Sequence, residues 1–280
     1  MKTKRSFWHY AGEILILLLL LIFLIPLIQT FFTALKPDQE IYKTPINIIP
    51  HTYTSAHYRH VFTKLSKDFL SFFRNSVVVT SSSVVLILGL GSLAAFSLAR
   101  IDFTGKTVVV FFVSLILSVP LIITVIPIFM METAMGIKNS NLGLILPYTA
   151  VYLPVPLFIM FNNFLQVPTE LEESAYIDGA GRYQIFLKIF IPLIKGGLVA
   201  AGIISFINCW GEFLYALILN TKRSATTLPI GIMMINDEEQ AWALGPMSAV
   251  MILSIIIPMS LYMIFQKNFI KGLMEGSVKG

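Results

Sequence analysis

A chain of 280 residues that is 56% hydrophobic and only 12% charged, with a mean hydropathy of +0.80, cannot expose most of its length to water; soluble domains carry roughly 25% charged residues. Its net charge of +5 does not point to nucleic acid, because no basic run with interleaved aromatics lies outside the apolar stretches, and membrane proteins keep Lys and Arg in cytoplasmic loops. The one cysteine, Cys209, excludes an intrachain disulfide and a cysteine-based metal site, and reads as a small buried apolar residue.

A membrane-spanning helix needs roughly 20 mostly apolar residues. Six stretches qualify, at about 13–35, 72–98, 107–131, 142–164, 197–219 and 243–266. The first follows Lys2, Lys4 and Arg5, as a signal peptide would, but its apolar run is too long and no A-x-A site follows, so a retained helix is expected. Pro26, Pro120, Pro127, Pro147, Pro154, Pro156 and Pro258 predict kinked helices whose freed carbonyls are satisfied by neighbours. Ser81, Ser82, Ser83, Gly89, Gly91 and Ser92 line the second span with small residues, which predicts close helix packing.

With both termini in the cytoplasm, the inner segments hold eleven of the twenty Lys and Arg, and six of the other nine fall in the long outer loop 36–74. Long loops weigh least in the positive-inside rule, so the shorter loops favour this orientation.

The connection between spans four and five, 167–192, is too patterned for a plain loop. Pro168, then Thr169 with Glu172 three residues on, predicts a capping box and a short helix over 170–177. Gly179 breaks it. A second helix is predicted over 181–190, with Tyr183, Phe186, Leu187 and Phe190 on one apolar face, closed by Pro192. The first helix carries Glu170, Glu172, Glu173 and Asp178. Anionic lipid would repel those carboxylates, so docking into a protein groove suits it better than lying on a bilayer.

Here the chain resembles the permease subunits of ABC importers. Glu173-Ser174-Ala175, Gly179 and Ile189-x-Ile191-Pro192 are similar to the E-A-A, G, I-x-L-P signature of that family, with Ser174 for the second alanine and Ile191 for leucine. The wider string from Glu172 to Ala180 looks like the carbohydrate-import branch. Phe73-Arg74-Asn75-Ser76, Ala99-Arg100-x-x-Phe103-x-Gly105, Thr227-Leu228-Pro229 and Trp210-Gly211-Glu212-Phe213, with Gly211 for asparagine, resemble further elements of the family. The tail after Lys271 resembles the maltose-type second permease.

The resemblance implies an all-α fold of six transmembrane helices with a cytoplasmic two-helix coupling elbow between helices four and five. It implies residues 1–71 as N-terminal helix and outer loop, 72–266 as the permease domain and 267–280 as a cytoplasmic tail. The protein would be half of a translocation path in the bacterial cell membrane, not an enzyme, importing an oligosaccharide or other sugar. Its partners would be a second, non-identical permease, two ATP-binding subunits that consume the ATP, and an extracytoplasmic solute-binding protein; the chain itself would bind no cofactor. Glu172, Glu173, Ser174, Ala175, Asp178, Gly179, Ala180, Ile189 and Pro192 would couple to the ATPase. Pro229, Gly231, Asn236 and Trp242, in the outer loop 220–242, would reach the binding protein, unless that loop is a plain connector. Lys271, Gly276 and Lys279 of the tail would touch the ATPase pair.

Glu212 lies deep in an apolar run, where an acid faces the bundle interior or a wet cavity. Either Asn208, Trp210 and Glu212 line the solute path, or Glu212 holds helices together with Asn208 and Trp210. Gly105-Lys106-Thr107 imitates the end of a Walker A loop, but Arg100 stands where its first glycine should be, so the chain is not the ATPase. His51, His57 and His60 lack a carboxylate or cysteine to complete a metal set. The alternatives are an ABC permease for another polar solute and an ATP-independent carrier; a carrier would be expected to show inverted repeats and midplane ion ligands, and neither is evident.

Overall fold

The computed structural model describes residues 7–45, 47–238 and 244–277, and among these the chain forms helices and turns with no strand. Trp242 and Lys279 lie outside the described residues, and Asn236, Lys271 and Gly276 are described only as helical backbone.

Helix α1 (Phe7–Thr33) is apolar all round, and its span Gly12–Thr33 buries no side chain within the chain. Such a helix needs lipid or another chain as its solvent. A short α2 (Ala56–Thr63) precedes α3 (Ser66–Arg100), so much of the expected outer loop is helical. At 1.5 Å per residue α3 is roughly 52 Å long, more than the roughly 30 Å hydrocarbon core, and its ends project beyond it.

The third expected span is not straight. Helices α4 (Lys106–Ile116) and α5 (Leu121–Met135) meet at 101°. Pro120 ends the break in an extended conformation (φ −60°, ψ 127°), since proline donates no N–H and disfavours helix in the residue before it. Helices α6 (Asn141–Tyr152) and α7 (Pro154–Gln166) meet at 48°. Pro154 and Pro156 open α7, where a missing N–H costs little. After α8 (Thr169–Ile177) come α9 (Arg182–Leu193) and α10 (Lys195–Trp210), bent by 78° at Ile194. The expected fifth span is interrupted at 211–213 before α11 (Leu214–Leu219). Helices α12 (Leu228–Glu238) and α13 (Leu244–Ser277) complete the chain. Three single helices and up to three bent pairs make as many as six candidate spans, the number the apolar runs predict, although the third pair takes in α9 rather than α11.

The chain divides into two compact units. In the first, Met1–Phe69 with Ile232–Ile256, Lys36 is buried and its Nζ donates to the Asn47 carbonyl. The buried His57 ring lies 2.7 Å from the Lys36 carbonyl and packs so closely on Gly245 that an added Cβ there would fall 2.2 Å from Cε1. Glu40 accepts the His51 N–H at 2.7 Å, which holds its carboxyl below the usual range.

In the second unit, Leu70–Gly231 with Ile257–Gly280, the small residues let helices approach, though not all of them. A Cβ on Gly91 would meet Met160 at 2.8 Å, and one on Gly197 would meet Asn163 at 2.5 Å, whereas Gly89 faces open space. Gly272 of α13 lies directly on the start of α10: its Cβ would fall 2.1 Å from the Gly196 carbonyl oxygen.

Candidate functional site

The segment between α7 and α10 is an elbow, as its sequence predicts, but its details differ. Pro168, extended at φ −57° and ψ 138°, takes the N-cap position of α8, and no side chain caps the helix. Thr169 is therefore already inside the first turn and forms no capping box with Glu172. Glu170 and Glu172 instead face the positive end of the helix dipole.

The C-terminus of α8 ends as a glycine stop should. The Gly179 N–H reaches the Tyr176 carbonyl at 3.0 Å and the Ala180 N–H reaches the Ala175 carbonyl at 2.9 Å, the paired bonds of a Schellman motif. Gly179 sits at φ +80° with nothing within 4 Å of an added Cβ. Backbone conformation, not space, is what requires glycine. Arg182 then donates from Nε to the Tyr176 hydroxyl at 3.4 Å, tying the two arms and keeping the guanidinium charged.

Helix α9 widens into a π turn over Phe186–Phe190, with the Ile191 N–H bonded to the Phe186 carbonyl. Pro192 offers no N–H to the Lys188 carbonyl four residues back and its ring would clash there, so the turn opens. The wider turn shifts the buried face. Ile185, Phe186 and Phe190 are buried, while Tyr183 and Leu187, expected beside Phe186 and Phe190, are exposed. Pro192 lies within α9 and does not close it; the chain breaks at Ile194.

Beneath the elbow lies an aromatic core. The Phe96 ring is 5.6 Å from Phe164, 5.1 Å from Phe186 and 5.1 Å from Phe190. Ala175 enters this core from α8, with Ile189 and Ala180 packed at its edge. Of the expected coupling residues, Glu173, Ser174, Asp178, Gly179 and Pro192 are exposed, Glu172 is half-buried and Ala175 is buried. The Ser174 hydroxyl bonds back to the Glu170 carbonyl at 2.7 Å. Leu171, Tyr176 and Ile177 are exposed beside the acids, Ile177 at 86%. The surface of α8 is thus both acidic and apolar.

Glu212 stands in the break between α10 and α11. Its Oε1 accepts the Tyr215 N–H at 2.8 Å, and its Oε2 accepts the Ala216 N–H at 3.1 Å and the Tyr148 hydroxyl at 2.5 Å. It therefore satisfies the orphan N–H groups that the break exposes at the start of α11. Its partners thus come from α6 and from the start of α11. Trp210 stacks on Phe206 at 5.6 Å and meets Phe73 edge-on at 6.1 Å. Asn208 is half-buried in a cleft of about 420 Å³ with Tyr152, Gly211, Phe213 and Glu212.

Three side chains that sequence reasoning did not assign pin the loops 137–140 and 220–228. Asn75 donates to the Ser224 and Thr226 carbonyls, both at 2.9 Å, and the Ser76 hydroxyl accepts the Leu228 N–H at 2.7 Å. Asn139, at φ +63°, accepts the N–H groups of Thr221 and Lys222 at 2.7 and 2.9 Å. Only the Asn75-Ser76 pair carried a sequence signal. Gly231 is buried: a Cβ there would fall 2.1 Å from Phe72. It packs α12 on α3 and offers no surface to a binding protein, whereas Pro229 is half-buried at the start of α12.

Among the described residues no group of three His, Cys, Asp or Glu could hold a metal. Gly105, at φ +92°, begins α4, and the element before it is the helix α3 rather than a strand.

A family model described as "binding-protein-dependent transport system inner membrane component" matches residues 87–275. The chain is 34% identical over 92% of its length to the sulfoquinovosyl glycerol transport system permease protein SmoH of Agrobacterium fabrum, covering 89% of it. It is also 34% identical over 92% of its length to the trehalose transport system permease protein SugB of Mycobacterium tuberculosis, covering 93%. Among solved structures, a chain of a bacterial ABC transporter involved in import of alginate superimposes with a TM-score of 0.81, over 96% of this chain and 100% of that one, at 21% identity. That likeness is one of fold.

Proposed function

The chain belongs to the binding-protein-dependent transport system inner membrane components, and from that premise we infer that it imports a sugar and is driven through α8. It is a multi-pass membrane permease subunit of an ABC importer. Relatives named for sulfoquinovosyl glycerol, trehalose and arabinooligosaccharide transport support a carbohydrate as cargo. A second, non-identical permease would complete the path, two ATP-binding subunits would supply the energy, and an extracytoplasmic binding protein would deliver the sugar. Both termini would be cytoplasmic.

The observation that carries the coupling role is the surface of α8. An acidic helix that also exposes Ile177, Tyr176 and Leu171 is suited to a protein groove and poorly suited to water. Glu173 and Asp178 would meet basic residues of that groove. Gly179, Ala180, Ile189 and Pro192 would set the elbow's shape, and Ala175 would seat it on the aromatic core. The tail residues Lys271, Gly276 and Lys279 would add a second contact, and Pro229, with Asn236 and Trp242, would face the binding protein. Asn208, with Tyr152, would line the solute path at the cleft beside Glu212.

The test is co-purification. A tagged chain solubilised in mild detergent should bring down an ATPase with a complete Walker A motif, and Glu173→Lys should lose it while remaining in the membrane. A chain that moves sugar into vesicles with no ATPase present would refute the assignment. Binding of a sugar panel to the partner binding protein identifies the cargo.

A further inference from the structure

Arg100 is the last residue of α3, and its guanidinium leaves its own helix to meet two others. Its Nη2 donates to the carbonyls of Phe164 and Val167 at the C-terminus of α7. The Phe164 carbonyl also accepts the Val167 N–H at 3.3 Å, and the last carbonyls of a helix carry the negative end of its dipole. The same guanidinium lies over the Phe190 ring, 4.8 Å from its centroid, at the distance of a cation–π contact. Glu172 of α8 is the carboxylate whose charge acts on it. Immediately inward, Phe96, Phe164, Phe186 and Phe190 close around one another. One cation therefore joins the end of α3, the end of α7 and the π turn of α9.

We infer that Arg100 is the positioning residue that locks the elbow to the membrane helices, so that a pull on α8 moves α3, α7 and α9 as one body. This rests on the reading of α8 as the docking helix. The planar guanidinium does two things an ammonium cannot do together: it spans two carbonyls and stacks on a ring. From α8 itself, the small Ala175 seats in the aromatic core and Tyr176 accepts from Arg182 of α9. Without the clamp, α8 could still dock, but its motion would be taken up between α9 and α7 and would not reach the path.

The test uses the assembled importer in lipid nanodiscs, with nitroxides at Leu165 of α7 and Tyr183 of α9, which are 49% and 68% exposed. MgATP is the probe. In the wild type, electron–electron dipolar spectroscopy should give one narrow separation that MgATP leaves unchanged, since both labels ride on one body. Arg100→Met should keep the ATPase bound and its hydrolysis within about twofold of wild type (a factor of two is under about 0.5 kcal/mol), but broaden the separation and make it shift with MgATP. Arg100→Lys should fall between the two. If Arg100→Met fails to insert, Arg100→Lys and Phe190→Leu are read instead, and both should be broader than wild type. Wild-type distributions in the inserted variants, with the ATPase bound, would overturn the role of Arg100 alone. A wild-type chain that binds no ATPase would overturn the docking reading and this role with it.

Discussion

Tyr148 and Glu212, 64 residues apart in sequence, share a hydrogen bond of 2.5 Å inside the helix bundle. The carboxylate of Glu212 faces two backbone N–H groups as well, so all its described partners are donors.

Glu212→Gln keeps one oxygen and turns an NH₂ toward a donor, leaving at least one N–H or hydroxyl unmatched. It should lower stability by about 1–3 kcal/mol, and Tyr148→Phe by about 1 kcal/mol. Thermal melting in detergent measures both. A Glu212→Gln variant with an unchanged melting point and altered solute affinity would instead place the carboxylate in the solute path.

Gly179→Ala forces a side chain into a left-handed conformation and should cost about 1–2 kcal/mol. No neighbour obstructs the added methyl, so the penalty is one of backbone alone. Gly181, two residues on at φ −72° and equally open, is the control: Gly181→Ala should be neutral. Melting points and ATPase recovery of the two variants should separate clearly.

Gly272→Ala pushes a methyl into the Gly196 carbonyl, a backbone atom that cannot swing aside. An overpacking cost of about 1–3 kcal/mol is expected, seen as a lower melting point. Gly89→Ala, within α3 and facing open space, should match or exceed wild-type stability, because alanine favours helix over glycine.

The Glu40 carboxyl titrates below the usual range because the ionised form accepts the His51 N–H. A lowered folded-state value means the stabilisation is fully present above the ordinary carboxylate range and is lost as pH falls through the lowered value. Hydrogen exchange at the His51 amide, corrected for its intrinsic pH dependence, should therefore lose protection on acidification. Glu40→Gln should abolish that acid-induced change.

The parts of this architecture that one residue type can enforce were legible in the sequence. A helix crosses lipid only along a long apolar run, so up to six spans could be counted, and only glycine sits easily at φ +80°, so Gly179 marked the elbow. What escaped depends on partners distant in sequence. Pro120 marked a kink in the third span but not its 101° bend, and hydropathy averages over the break at 211–213, so that one did not show. Thr169 and Glu172 have the spacing of a capping box, but Pro168 occupies the cap. Arg100 bonds to carbonyls 64 and 67 residues away, and carbonyls carry no sequence signal at all.

The π turn at Phe186–Phe190 also fixes an angle. Each residue of an ordinary helix turns the chain by about 100°, so a turn with one residue too many offsets everything after it by that amount. Deleting a single residue between Phe186 and Phe190 would restore regular winding and swing the arm that carries Ile185 and Phe186 about 100° around its axis relative to α10. The shortened helix would again have to accommodate the proline in a regular turn, and its aromatic side chains would face away from Phe96. The orientation of the elbow is thus stored in the count of residues as much as in their identity.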